Sequence, residues 1–170
     1  MAGILSGGRA AGRGGNRAAL DTLDILFILF GFLFQIVLII HFALRRWAFQ
    51  TALRYGPLVY ALGIPALALC IAQIAAGKAW YLWLAGILYA VWALLGYWVE
   101  YVRRIDWRSG GHRLIFAVYV TLYLATVMFY WWPLAALSRP LWFAYAVLFV
   151  IATILNVTSH RGDARPRPAA

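Results

Sequence analysis

Acidic residues are scarce in this chain: five Asp and Glu stand against 15 Lys and Arg, and Lys78 is the one lysine. Charge of either sign is scarce too, at 12% of residues where a soluble domain carries about 25%. So few charges exclude an ordinary water-facing surface. The single cysteine, Cys70, lies in an apolar stretch. It permits no internal disulfide, and cysteine usage gives no sign of an oxidising compartment. The three histidines, His41, His112 and His160, show no H-x3-H or E-x-x-H spacing. That spacing would put two ligands on one helix face, so no metal site is expected. Only His41 falls within an apolar run, which disfavours a haem held by two helix histidines. Phosphate-loop, dinucleotide and serine-hydrolase motifs are missing as well. No catalytic residue and no cofactor is therefore assigned.

What the chain does have is apolar length. Of its 170 residues, 65% are hydrophobic, and mean hydropathy is +0.81. Roughly 20 apolar residues at 1.5 Å rise cross the ~30 Å hydrocarbon core of a bilayer. Five stretches meet that length, at about 25–44, 57–77, 79–101, 114–134 and 141–158. The expected fold is an all-α integral membrane protein, a compact bundle of five transmembrane helices built as one helix plus two antiparallel hairpins. Residues 1–23, rich in Gly and Arg, read as a flexible tail. Residues 24–160 form the membrane domain, and 161–170 a basic tail. The run at 25–44 exceeds the 7–15-residue core typical of roughly any cleavable signal peptide. Arg9, Arg13 and Arg17 are too few for an RNA-binding Arg-Gly segment, so no nucleic-acid partner is expected.

The third span carries the clearest pattern. Ala79, Gly86, Ala90 and Ala93 fall on one arc at helical spacing. Small faces of this kind let helices approach closely. Packing within the chain is the leading use, and a seam between two copies the minor one. The span ends at Glu100, three and four residues before Arg103 and Arg104. Helical geometry places those three as boundary ion pairs.

In the second span Pro57 suits a helix start, and Gly63 with Pro65 predicts a kink. Residues 45–56 read as a loop. Gly77 and Lys78 alone turn the chain into the third span, which makes a tight hairpin. The fourth span presents Tyr119, Tyr123, Thr126 and Tyr130 on one face. Gln35, mid-way along the first span, is a partner for this hydroxyl stripe. The stripe reads first as structural and second as a wall that contacts a ligand.

Orientation follows from basic residues. Arg45, Arg46, Arg54, Arg103, Arg104, Arg108, Arg113 and the C-terminal arginines share one side. The other side has Lys78, Arg139 and the N-terminal arginines. The positive-inside rule puts the N-terminus outside and the C-terminus in the cytoplasm, in a cell (inner) membrane. Trp80, Trp83, Trp131, Trp132 and Trp142 would lie at the outer boundary, and Trp47, Trp98 and Trp107 at the inner one. Trp92 alone falls mid-span.

Two functional readings result. The first is a non-enzymatic membrane subunit or interaction protein, with lipid, another membrane protein or its own copy as partner. The second is a carrier or binder of an apolar small molecule, contacted by Gln35, Tyr119, Tyr123, Thr126 and Tyr130.

Overall fold

A computed structural model describes residues 20–105 and 112–159. Residues 1–19, residues 106–111 with Asp106, Trp107 and Arg108, and residues 160–170 with His160 lie outside the described residues. The described chain is helical, with seven α-helices and no strand. They are α1 Thr22–Trp47, α2 Phe49–Ala61, α3 Gly63–Ala75, α4 Trp80–Tyr97, α5 Arg113–Trp131, α6 Leu134–Leu137 and α7 Arg139–Ser159. Taken as continuous spans, five are long and apolar enough to cross a bilayer: Thr22–Trp47, Phe49–Ala75, Trp80–Val102, Arg113–Leu137 and Arg139–Ser159. They suggest a multi-pass membrane protein.

The inside and outside of the bundle differ as a membrane setting requires. Aromatic side chains dominate the interior: Phe27, Phe34, Tyr89, Trp92, Tyr130 and Tyr145 are all at most 2% exposed. Large aliphatics such as Leu29, Ile64, Leu94 and Val147 face outward. Water would penalise that outer surface, whereas lipid tails do not.

α1 opens with a reciprocal capping box. The Asp24 backbone N–H donates to the Asp21 carboxylate at 3.0 Å, and the Asp21 N–H to the Asp24 carboxylate at 3.2 Å. Lys78, in the turn between α3 and α4, reaches across to both acids. Its Nζ lies 2.5 Å from Asp21 Oδ2 and 2.7 Å from Asp24 Oδ1. The start of α1 and the α3–α4 turn are thereby clasped at one end of the bundle. Gly77, at φ 66°, makes that turn possible.

The clasp predicts a pH effect. The hydrogen bond from Lys78, then that from the Asp24 backbone, hold the Asp21 carboxyl below its ordinary value of 3.8. Hydrogen bonds to Asp21, then Asp24, raise Lys78. A lowered acid contributes stability above its unfolded pKa and loses it as pH falls through the lower folded one. The raised lysine loses its share only as pH rises through its own raised value. Lys78→Met should therefore lower the thermal midpoint at pH 7, with the gap closing below pH 3.8 as Asp21 protonates. Paired melting curves at the two pH values check this.

The second span differs from expectation. No loop covers 45–56: α1 runs on to Trp47, Ala48 is the single break, and α2 begins at Phe49. Pro57 lies inside α2 rather than at its start. The reason is that Ala48, Gln50, Ala52, Leu53 and Arg54 all favour helix, and the missing proline N–H is compensated from outside. Proline at 57 deprives the Leu53 carbonyl of its intrahelical donor, and the Tyr101 hydroxyl donates to that carbonyl at 3.3 Å. The break expected near Pro65 falls at Leu62. One turn before it, the buried Tyr89 hydroxyl donates to the Val59 carbonyl at 2.5 Å. Neighbouring helices thus satisfy backbone groups that an interrupted span leaves open.

α4 does not simply end. Trp98–Val102 forms a π-helical turn, with the Arg103 N–H bonded to the Trp98 carbonyl at 2.8 Å. Such widened turns rotate the residues they carry away from α-helical register. Here those residues are Glu100 and Tyr101, and both reach α2.

Candidate functional site

A cavity of about 290 Å³ lies among α1, α2, α4, α5 and α7. This is close to the lower end of small-molecule pockets, which span roughly 300–1,000 Å³. Exposed Phe116 and Leu124 of α5 and Val157 of α7 stand at its edge. Trp92 is its aromatic centre, with its ring centroid 5.5 Å from Tyr119, 5.9 Å from Tyr123 and 5.7 Å from Tyr60. All four residues line the cavity.

Two of them carry unused donors. Tyr123 is 7% exposed and Trp92 2% exposed. Neither the Tyr123 hydroxyl nor the Trp92 indole Nε1 has a hydrogen-bond partner among the described residues. A buried donor left unmatched costs about 1–3 kcal/mol. Both residues border the cavity, while these two polar atoms are themselves shielded from its open space.

The other tyrosines are held by an acid. The Tyr60 hydroxyl donates to Glu100 Oε2 at 2.8 Å and lies 3.3 Å from the Tyr119 hydroxyl. With the Tyr60 proton directed to the carboxylate, Tyr119 is the donor of the tyrosine pair. Glu100 therefore orders this wall from behind. Gly96 makes room for it, because a Cβ at that position would overlap the Tyr60 ring. Polar groups continue toward the mouth with His41 and Arg45 of α1 and Asn156 of α7. The Arg45 guanidinium sits 5.9 Å over the Phe49 ring.

The hydroxyl stripe of the fourth span divides. Tyr119 and Tyr123 line the cavity. Thr126 and Tyr130 do not. The Thr126 hydroxyl bonds its own helix at the Leu122 carbonyl, 2.7 Å away, and Tyr130 packs 5.3 Å from Phe27 in the aromatic core. Gln35 is fully buried away from the cavity walls, and its amide atoms have no partner among the described residues. In α4, a Cβ at Gly86 would lie 2.7 Å from the Ala66 carbonyl oxygen and 2.9 Å from Cys70 Cβ. One at Gly63 would lie 3.2 Å from Ala93 Cβ and 3.8 Å from Ala90 Cα. Gly86, Ala90 and Ala93 thus lie against α3, while Ala79 is exposed at the start of α4. Arg103 and Arg104 lie beyond the last helical residue, Val102, so the helix spacing that linked them to Glu100 stops short of them. The Arg103 guanidinium sits 5.5 Å over the Trp98 ring.

Sequence reasoning missed Tyr60, Trp92, Arg45 and Asn156 as cavity residues. Trp92 had a signal, being the only tryptophan in mid-span. Tyr60, one tyrosine near the start of an expected apolar span, had none. No group of three or more His, Cys, Asp or Glu suited to a metal occurs among the described residues. No protein-family model, curated protein or solved structure matches this chain.

Proposed function

We propose that this chain binds, and in doing so carries or presents, an amphipathic small molecule within the membrane. The observation that supports this most is the cavity itself, with largely apolar walls that bring together Tyr60, Trp92, Tyr119 and Tyr123. Ligand sites have this general composition: apolar walls and a few polar groups that fix orientation. The proposal is of binding or transport, without a chemical step. The basic residues around the cavity end, among them Arg45, Arg46, Arg54 and Arg103, support a cytoplasmic location for it, with the N-terminus outside and a cell (inner) membrane as host. The alternative, a non-enzymatic subunit or interaction protein, drew on the small-residue face of α4. Gly86 and Ala93 of that face are occupied by α3, which leaves the alternative with less to rest on.

Two single variants test the proposal in lipid nanodiscs titrated with single-chain amphiphiles and followed by tryptophan fluorescence. Tyr123→Phe alters the cavity wall and should weaken binding about ten-fold. Thr126→Val lies on the same face but bonds its own helix, and should leave affinity unchanged. Equal affinity for wild type and Tyr123→Phe would remove the basis of the proposal.

A further inference from the structure

A second cavity, of about 240 Å³, forms a groove between α1 and α2. Buried Ala52 and Val59 make its floor, and exposed Ile40, Tyr55 and Leu58 make its rims. Val37, Leu44 and Leu62 complete its aliphatic walls. Along α1 the lining runs from Leu44 back to Val37, roughly 10 Å at 1.5 Å rise per residue. Along α2 it runs from Ala52 to Leu62. Leu44 and Ala52 lie near the ends of their spans, which meet at Ala48, so theirs is the boundary end of the groove.

Two arginines stand at that end. Arg54 follows Ala52 by two residues, and its guanidinium sits 5.8 Å over the ring of Tyr55, a rim residue. Arg46 follows Leu44 by two, and its guanidinium sits 5.6 Å over the exposed Trp47 ring. Neither makes an ion pair among the described residues. Asp21 and Asp24 are engaged by Lys78 at the opposite end of the bundle, and Glu100 accepts from Tyr60. A ring beneath one face of a guanidinium leaves its N–H edge open to an acceptor, and that fork matches a phosphate. Tyr and Trp rings settle at the headgroup level of a bilayer, which sets these two guanidiniums at phosphate depth.

We infer that the α1–α2 groove holds one anionic phospholipid, with its phosphate on Arg54 and Arg46 and one acyl chain laid from Leu44 toward Val37. His41 and Val59 stand between this groove and the Trp92 cavity, and the inference does not depend on the binding reading above. Apolar walls alone would not select a lipid, since tails surround the bundle on every side. The arginines supply the selectivity, and the groove fixes the lipid beside them.

The full chain in detergent is titrated with phosphatidylglycerol and phosphatidylcholine of identical chains, and retained lipid is read by native mass spectrometry. Wild type should retain one phosphatidylglycerol at least ten-fold more strongly than phosphatidylcholine. Arg54→Gln and Arg46→Gln should each cut that preference about five-fold, and together abolish it. Arg113→Gln removes a like charge at the start of α5 and should leave the preference intact. Leu58→Trp, on one exposed rim, and Ile40→Trp, on the facing one, should each reduce phosphatidylglycerol retention several-fold. Melting curves confirm that each variant is folded. Equal retention of the two lipids by wild type, or a preference that survives the double arginine change, would overturn the inference. So would an equal loss with Arg113→Gln, which would mean diffuse surface charge. Retention indifferent to both tryptophan variants would overturn the placement of the chain in the groove.

Discussion

Gly86→Ala should be among the most damaging single-methyl changes in this chain. In most helix interiors such a change stabilises, since alanine is a better helix former by about 1 kcal/mol. Here the added Cβ would lie 2.7 Å from the Ala66 carbonyl oxygen and 2.9 Å from Cys70 Cβ. The nearest atom belongs to the backbone of α3 and cannot rotate aside. Either α3 and α4 must separate along the whole hairpin, or the helix must deform. Overpacking of a rigid contact costs about 1–3 kcal/mol, and the upper end applies where backbone meets Cβ. The clash wins, with a net loss of about 2 kcal/mol expected after the propensity gain. Gly63→Ala provides the contrast. Its nearest neighbour is the Ala93 methyl at 3.2 Å, so Ala93→Gly should relieve it. No comparable second-site change relieves Gly86→Ala, because a backbone oxygen is present whatever residue stands at 66. Detergent unfolding of the two single variants and the double variant reads the ordering. Gly86→Ala that unfolds like wild type would mean that α3 and α4 are not so closely apposed.

Tyr89→Phe should produce the second large loss. Hydrogen bonds between membrane helices are worth only about 0.6 kcal/mol on average, because groups released on unfolding find other partners. The Tyr89 bond differs in what it serves. Its acceptor is the Val59 carbonyl, at 2.5 Å, one turn before the helix break at Leu62. Tyr89 is fully buried, and phenylalanine would leave that carbonyl without its side-chain donor in an apolar interior. An unmatched buried acceptor costs about 1–3 kcal/mol, so about 2 kcal/mol is expected here. Tyr101→Phe should cost less, since the Tyr101 bond to Leu53 is longer, at 3.3 Å, and more exposed. Comparing the two midpoints checks the claim, and it fails if Tyr101→Phe is the worse of the two.

These two positions show what the sequence made legible and what it hid. Apolar run length marks the five spans, because twenty residues without charge have few other uses. Gly77–Lys78 marks a hairpin, and Pro65 a break. The start of the second span was misplaced because proline usually opens a helix. Only the fold supplies Tyr101 to the carbonyl that Pro57 strands, and that hydroxyl comes from a residue 48 positions away. Glu100 sits in a π-helical turn, which α-helical spacing does not anticipate, and there it accepts from Tyr60. The hydroxyl stripe was legible as a face. Periodicity cannot tell how deep along a face a cavity reaches, and so it could not divide Tyr119 and Tyr123 from Thr126 and Tyr130. The mouth residues Arg45 and Asn156 come from the first and last helices, and their approach is a matter of packing between α1 and α7.

The central claim is that the Trp92–Tyr123 cavity holds a small amphiphile in the membrane. Native mass spectrometry of the chain, gently extracted from its source membrane, tests it most directly. The account predicts one defined small molecule bound at one per chain in wild type and lost when Trp92→Phe and Tyr123→Phe are combined. A second protein at fixed stoichiometry with no such molecule, or the same bound species on the double variant, would contradict it.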